Sequence, residues 1–396
     1  MKKVRIFDTT LRDGEQAPGN AMSLEDKLNI AARIYEIGVD TIEVGFPASS
    51  SGDQQAARMI RNELPETRLA SFARTTEDDI KVAYDCLGNE RHQLQMVATA
   101  SENHLYYKRH ISEEECVDEV RRALEAASKY DFESIAVGLE DVTRGSRELC
   151  EKLILAIVEG GADTLILADT TGCALPKAFG ELVSDVKSLL PPEMLLSVHA
   201  HNDLGLATAN AWYGILGGAD EVQTTLGGVG ERTGNTSLEQ ICSLIYYYGQ
   251  DIGIEQSIKM DRISRAVKVL EQCSEYTVPV NAPIIGKYAF STAAGIHQNA
   301  LLKSPSTYSF VDPKVYGRDF EFYFSKHSGR SYIRHIADKS ELSIDDTETE
   351  MVYTTLMKRS KVDHTLNEKN VLTEIEKVLG IKTSFDAQNQ HKRDFR

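Results

Sequence analysis

Over about the first 250 residues, short runs of β-branched and apolar residues alternate with longer stretches of helical periodicity, and few folds accommodate that order. The runs are Val4–Asp8, Val39–Gly45, Arg68–Ala73, Gln93–Thr99, Ser134–Glu140, Thr164–Asp169, Leu195–His199 and Glu221–Thr225. Helices are predicted to begin after Ser23, Thr76 and Ser112, whose hydroxyls accept from open backbone N–H groups, and at Pro176, whose missing N–H costs nothing in a first turn. Gly38, Gly161 and Gly218 stand where a helix gives way to the next strand, as left-handed caps do. Eight such units predict an α/β fold of the (β/α)8 TIM-barrel type, with a doubly wound sheet as the alternative. The residues that look chemical favour the barrel. They end several different strands, and only a closed barrel gathers those ends on one rim.

Beyond about Asp251 the alternation stops. Asp261–Cys273 reads as one more helix, Val278–Gly286 is punctuated by Pro and Gly, and Asp345–Ser360 and Asn367–Leu379 read as charged amphipathic helices before a polar, frayed tail, Ala387–Arg396. The expected organisation is therefore a catalytic barrel over 1–260, a linker subdomain over 261–335 and a small helical subdomain over 336–396.

The balance of 44 Lys+Arg against 60 Asp+Glu, a net charge of −16, repels phosphate backbones and anionic lipid, so neither nucleic acid nor membrane is an expected partner. The start, Met1–Asp8, lacks the apolar core of a signal peptide, and a cytoplasmic location is expected. The six cysteines form no C-x-x-C pair and read as reduced packing residues.

The strongest chemical signal is His199-Ala200-His201 at the end of the seventh run. Imidazoles at i and i+2 on a strand point the same way and can reach one metal ion. Asp13, after the first run, would be close by once an eighth strand closes the barrel, and Asn235 could complete the set. Two imidazoles, a carboxylate and an amide oxygen suit a divalent ion such as Mn, Zn or Mg with positions left for substrate. Arg12 could polarise a substrate carbonyl; its bland alternative is a buried salt bridge to Glu43 or another rim acid. A basic cluster is usually a solvated loop, but in so acidic a chain Lys326, His327 and Arg330 could form a landing site for an anionic group such as a nucleotide phosphate.

These residues resemble the metal-dependent acyl-CoA condensing barrels that comprise the 2-isopropylmalate, homocitrate and citramalate synthases. The resemblance is carried by DTTLRDGEQAPG from Asp8, EVGFPASSSGD from Glu43, HAHNDLGLATAN from His199, GERTGN from Gly230, GIHQ from Gly295 and KHSGR from Lys326, in family order. It implies that Asp13, His199 and His201 bind the metal with Asn235 close by, that Arg12 and Gln16 contact a 2-oxo acid, that Glu140 is the catalytic glutamate and that Thr170 lines the pocket. It also implies a homodimer in which a helical linker crosses to the partner barrel and brings His297 and a tyrosine, Tyr308, over its active site. Phe46, His104 and Gln298 look like the isopropylmalate type. Gly138 resembles some homocitrate synthases instead, while Ala136 stands where lysine-pathway homocitrate enzymes carry an arginine.

The implied reaction is a Claisen-type condensation of acetyl-CoA with a 2-oxo acid, foremost 2-oxoisovalerate giving 2-isopropylmalate in leucine biosynthesis, with 2-oxoglutarate or pyruvate as alternatives. His297 leads as the proton-abstracting base, with Glu140 and Tyr308 sharing the role. No leucine-sensing regulatory domain is expected in this chain. The rival functions are a retro-Claisen acyl-CoA lyase, which would lack His297 and the Lys326–Arg330 cluster, and a non-catalytic metal-binding scaffold, which would need a broken site.

Overall fold

In the first described unit, Met1–Val278, every strand of the main sheet has two neighbours. A computed structural model describes residues 1–363 and 366–381. Its eight parallel strands are β1 (Arg5–Asp8), β2 (Thr41–Glu43), β3 (Leu69–Ala73), β4 (His92–Thr99), β5 (Ser134–Glu140), β6 (Thr164–Asp169), β7 (Leu195–Ala200) and β8 (Glu221–Thr224). Asp8 of β1 lies opposite both Ile42 of β2 and Thr224 of β8, so the barrel is closed and the doubly wound alternative is excluded. All eight expected strands are present, with ends moved by no more than two residues.

Helices α1 (Leu24–Ile37), α2 (Ser51–Glu63), α3 (Glu77–Leu87), α4 (Glu113–Ala127), α5 (Arg147–Glu159), α6 (Pro176–Leu189), α7 (Ala207–Leu216) and α8 (Leu238–Ile252) cover the strands. The expected starts hold for local reasons. Ser23 and Ser112 form reciprocal capping boxes with Asp26 and Glu115, Thr76 accepts from Asp79 N, and Pro176 occupies the first turn. Gly38 ends α1 with φ 88°, a left-handed conformation that a Cβ would strain.

The interior of this barrel is unusually polar. Gln95 of β4 and Gln223 of β8, on opposite walls, touch at 3.0 Å, so both point inward. By the two-residue period of a strand, Gln93 and Glu221 lie inward one layer below. In a polar core of this kind an unpaired group is costly, and Gln93 Nε2 and Glu221 Oε1 are both without a hydrogen-bond partner.

A further helix, α9 (Met260–Cys273), packs its apolar face, Ile263, Ala266, Val267 and Leu270, against α1 and belongs to the first unit. The expected boundary at 260/261 thus differs from the observed one at 278/279, because that stripe is buried on the barrel flank.

The second unit, from Pro279, holds α10 (Gly295–Lys303), α11 (Arg330–Lys339), α12 (Asp346–Asp363) and α13 (Glu368–Val378). Phe324, Tyr332, Ile333 and Ile336 share one buried cluster with Val352, Leu356, Val371 and Ile375. Residues on both sides of the expected 335/336 boundary therefore form a single core. The tail Ala387–Arg396 lies outside the described residues.

Among the described residues no helix is long and apolar enough to cross a membrane. All six cysteines are free. Cys173 is exposed, so the packing role expected of the cysteines does not extend to it.

Candidate functional site

Three of the expected ligands meet at the C-terminal rim. Asp13 sits in the turn after β1, where its own N–H and that of Gly14 bond back to Thr9 O at 2.9 and 3.2 Å. His199 lies in β7 and His201 directly follows it, so the alternation of the strand aims both rings at one point. Their Nε2 atoms are 3.2 Å apart and lie 3.6 and 4.0 Å from Asp13 Oδ2. An isolated antiparallel bridge between His201 and Asn235 brings in the fourth residue, whose Nδ2 donates to Asp13 Oδ1 at 2.8 Å. Gly230 permits this closeness, since a Cβ there would meet Asn235 Nδ2 at 2.0 Å.

The protonation states suit a cation. Burial alone would raise the Asp13 carboxyl, but Arg12, the two imidazoles and Asn235 together hold it well below the usual carboxylate range. Burial pushes His199 down to about 3 and lowers His201 as well, which keeps both imidazoles neutral. His199 Nδ1 faces Gln223 Oε1 at 2.9 Å and must donate to it, leaving Nε2 bare.

The donor set fits a divalent ion. Two nitrogens bound to one ion at about 2.0–2.1 Å stand about 3.0–3.4 Å apart, close to the spacing here. Asn235 Oδ1 is buried with no hydrogen-bond partner, an acceptor left for such an ion.

Beside this cluster opens a cavity of about 630 Å³ lined by Arg12, Gln16, Phe46, Glu140 and Thr170, together with Phe72, Arg74, Gln95, Met96, Lys108 and Ile166. Arg12 makes the salt bridge of its bland alternative, Nε to Glu43 at 2.8 Å, and also pairs with Asp13 at 2.7 Å. It still lines the cavity, so the two readings coexist. Thr170 Oγ1 accepts from Asp141 N at 2.8 Å, which fixes its side chain. Glu140 receives Lys108 Nζ at 2.6 and 2.9 Å. His104 stands behind Glu140, its Nδ1 3.5 Å from the carboxylate and its Nε2 3.6 Å from Asp141, and is not part of the cavity lining.

The second unit carries the remaining expected residues. His297, exposed on α10, packs against Tyr308 with ring centroids 4.1 Å apart and the rings tilted by 35°. Gln298 points the other way, buried, and donates to Tyr323 O at 2.8 Å. Lys326 and His327 are exposed, but Arg330 is engaged with Glu350 and lies over the Tyr353 ring at 4.1 Å. As an anion landing site the cluster is thus reduced, among the described residues, to Lys326 and His327, because Glu350 comes from a helix that the local sequence pattern did not connect to it.

Sequence reasoning overlooked Phe72, Gln95 and Gln223. Each occupies an inward position of a strand, a signal readable only after the barrel's inside and outside are known.

A protein-family model described as HMGL-like matches residues 3–270, the whole barrel and most of α9. The chain belongs to the HMGL-like family. Following this HMGL-like barrel in sequence, residues 284–364 match a second model, the homocitrate synthase post-HMGL domain-like region. A 2-isopropylmalate synthase of Halothermothrix orenii is 36% identical over 361 residues, covering 89% of this chain and 69% of that protein. A protein of Methanopyrus kandleri assigned as an (R)-citramalate synthase is 35% identical over 98% of this chain and 74% of its own length. Among solved structures, an HMG-CoA lyase of Bacillus subtilis superposes with a TM-score of 0.61 at 22% identity, over 70% of this chain and 96% of that one. At that identity the likeness concerns the fold alone.

Proposed function

We propose that this chain condenses acetyl-CoA with a 2-oxo acid, foremost 2-oxoisovalerate, to give 2-isopropylmalate and CoA. The observation that carries the reading is the Asp13–His199–His201 cluster opening onto a cavity walled by Arg12 and Glu140, in a chain that also has the post-HMGL region of a condensing enzyme. A cytosolic homodimer acting on small molecules fits this chemistry.

Asp13, His199 and His201, with Asn235 Oδ1 at hand, would hold the divalent ion. When bound, such an ion supplies Lewis acidity to the carboxylate and ketone oxygens of the oxo acid. Arg12, held in place by Glu43, directs its guanidinium at the ketone oxygen where negative charge develops. Gln16 and Thr170 orient the oxo acid. A base removes a proton from the acetyl methyl group, and the resulting enolate carbon attacks the ketone carbon. The alkoxide takes up a proton, and water then cleaves the thioester to release CoA. His297, sitting against Tyr308 and brought from a second copy of the chain, is the leading base, with Glu140 polarised by Lys108. Lys326 and His327 serve the phosphates of CoA.

The lining supports an oxo acid with a branched apolar end. Phe46 and Phe72 meet edge to face at 5.2 Å, and Met96 and Ile166 continue the apolar wall. The cations on that wall are already paired, Arg74 with Asp79 at 2.8 Å, Lys108 with Glu140 and Arg109 with Glu119 at 2.7 Å, which disfavours a second substrate carboxylate. The test is thiol release from acetyl-CoA with Mn²⁺, screened over 2-oxoisovalerate, pyruvate and 2-oxoglutarate. A kcat/KM for 2-oxoisovalerate below that for either other acid would refute the substrate assignment. Release with none of them, alongside cleavage of a 3-hydroxy-3-methylacyl-CoA, would refute condensation.

A further inference from the structure

Across the floor of the site runs a one-directional chain of hydrogen bonds. It begins at Glu43, 0% exposed, whose carboxylate accepts from Arg12 Nε and Thr9 Oγ1 at one oxygen and from Gln95 Nε2 at the other, at 2.9 Å. Three donors make this end an acceptor at both oxygens, and that fixes the amide of Gln95 with its nitrogen toward Glu43. Gln95 Oε1 therefore faces across the barrel and accepts from Gln223 Nε2 at 3.0 Å. The amide of Gln223 is fixed in turn, presenting Oε1 to His199 Nδ1 at 2.9 Å. Each amide has a donor end and an acceptor end, so the sense of the chain is set at Glu43 and can only end with a proton on Nδ1.

We propose that Glu43, acting through Gln95 and Gln223, selects the His199 tautomer whose Nε2 is bare, and so sets the affinity of the rim cluster for a divalent ion. Gln95 and Gln223 are positioning residues; neither needs to touch substrate. Four side chains from β2, β4, β8 and β7 take part, all at least nine-tenths buried, and each is held by the next. The inference rests on the reading of His199 as a metal ligand.

Glu43→Gln is nearly isosteric but lets the chain run backwards. The amide introduced at position 43 could donate to Gln95, Gln95 to Gln223, and Gln223 to His199 Nδ1, which moves the ring proton onto Nε2. Adding Gln223→Glu restores the sense where it matters, because a carboxylate at position 223 accepts from both Gln95 and His199 Nδ1. The probe is Mn²⁺ alone, titrated calorimetrically into the EDTA-stripped full chain. Expected is an affinity loss of roughly tenfold to a hundredfold in Glu43→Gln and recovery to near wild type in the double variant. The catalytic rate should stay low in both, since Arg12 has lost its carboxylate. Selective ¹⁵N-histidine spectra of the stripped protein, with the His199 signals assigned by their loss in His199→Gln, should show Nδ1–H in wild type, Nε2–H in Glu43→Gln and Nδ1–H again in the double variant.

Unchanged Mn²⁺ affinity in Glu43→Gln would overturn the proposal. So would a double variant that binds as weakly as the single one, because Glu43 would then act only through Arg12 and Asp13. A wild-type chain that binds no Mn²⁺, or a His201→Ala variant that binds it normally, would instead remove the metal-ligand reading beneath the proposal.

Discussion

Glu221 lies at the barrel floor, 1% exposed, with Oε1 lacking any hydrogen-bond partner. Burial raises its carboxyl from 4.5 to about 7, and the Ser197 hydroxyl and the charges of Arg5 and Arg68 only partly oppose this. A raised acid binds its proton more tightly in the folded than in the unfolded chain, so its contribution falls as pH rises from the unfolded value through the folded one. The full difference corresponds to ~3 kcal/mol lost by pH 8, and less than about 1 kcal/mol is lost by pH 5. Glu221→Gln removes the ionisation and nearly keeps the shape. The variant should therefore be more stable than wild type by about 3 kcal/mol at pH 8, an advantage that shrinks to less than about 1 kcal/mol at pH 5. Urea unfolding of the barrel transition at the two pH values, compared at constant m, measures this. Asp8, also raised by burial to about 7, leaves a pH slope in both proteins, so the difference between them is the readout. A stability gap equal at pH 5 and pH 8 would refute the reasoning, because a packing effect does not titrate.

Three further outcomes are expected. His201→Ala should abolish thiol release while costing less than about 2 kcal/mol in urea unfolding, since a rim residue contributes little to the barrel core; substantial turnover at saturating Mn²⁺ would take His201 out of the ligand set. Gly230→Ala, whose Cβ would stand 3.2 Å from Asp13 Oδ1 as well as against Asn235, should weaken Mn²⁺ binding by roughly tenfold, and calorimetry showing wild-type affinity would mean that Asn235 is not needed there. If the proposed dimer holds, mixing a His297→Ala chain with an Asp13→Ala chain should restore roughly a quarter of wild-type activity at full exchange, because half the dimers would be hybrids with one intact site of two. No recovery despite demonstrated exchange would place His297 over its own barrel.

Much of this protein was determined by local sequence. A strand buried on both faces needs a short apolar run, and a helix on a barrel flank needs an apolar stripe and a cap. Residues within a few positions of one another therefore carried the eight β/α units, with Ser23, Ser112 and Gly38 marking ends that the structure reproduces. The i, i+2 histidines were legible for the same reason, since strand alternation alone aligns them.

What depends on closure was decided by tertiary structure. Asp13 and Asn235 are separated by 222 positions and meet only because β8 pairs with β1. Arg330 looked free in its own segment and is occupied by Glu350, 20 residues on, because α12 packs beside α11. Most plainly, Gln95 and Gln223 read as ordinary strand residues. They bond across 128 positions through the centre of the barrel, and which of their faces points inward is set by the register of the sheet, a property that no single strand possesses.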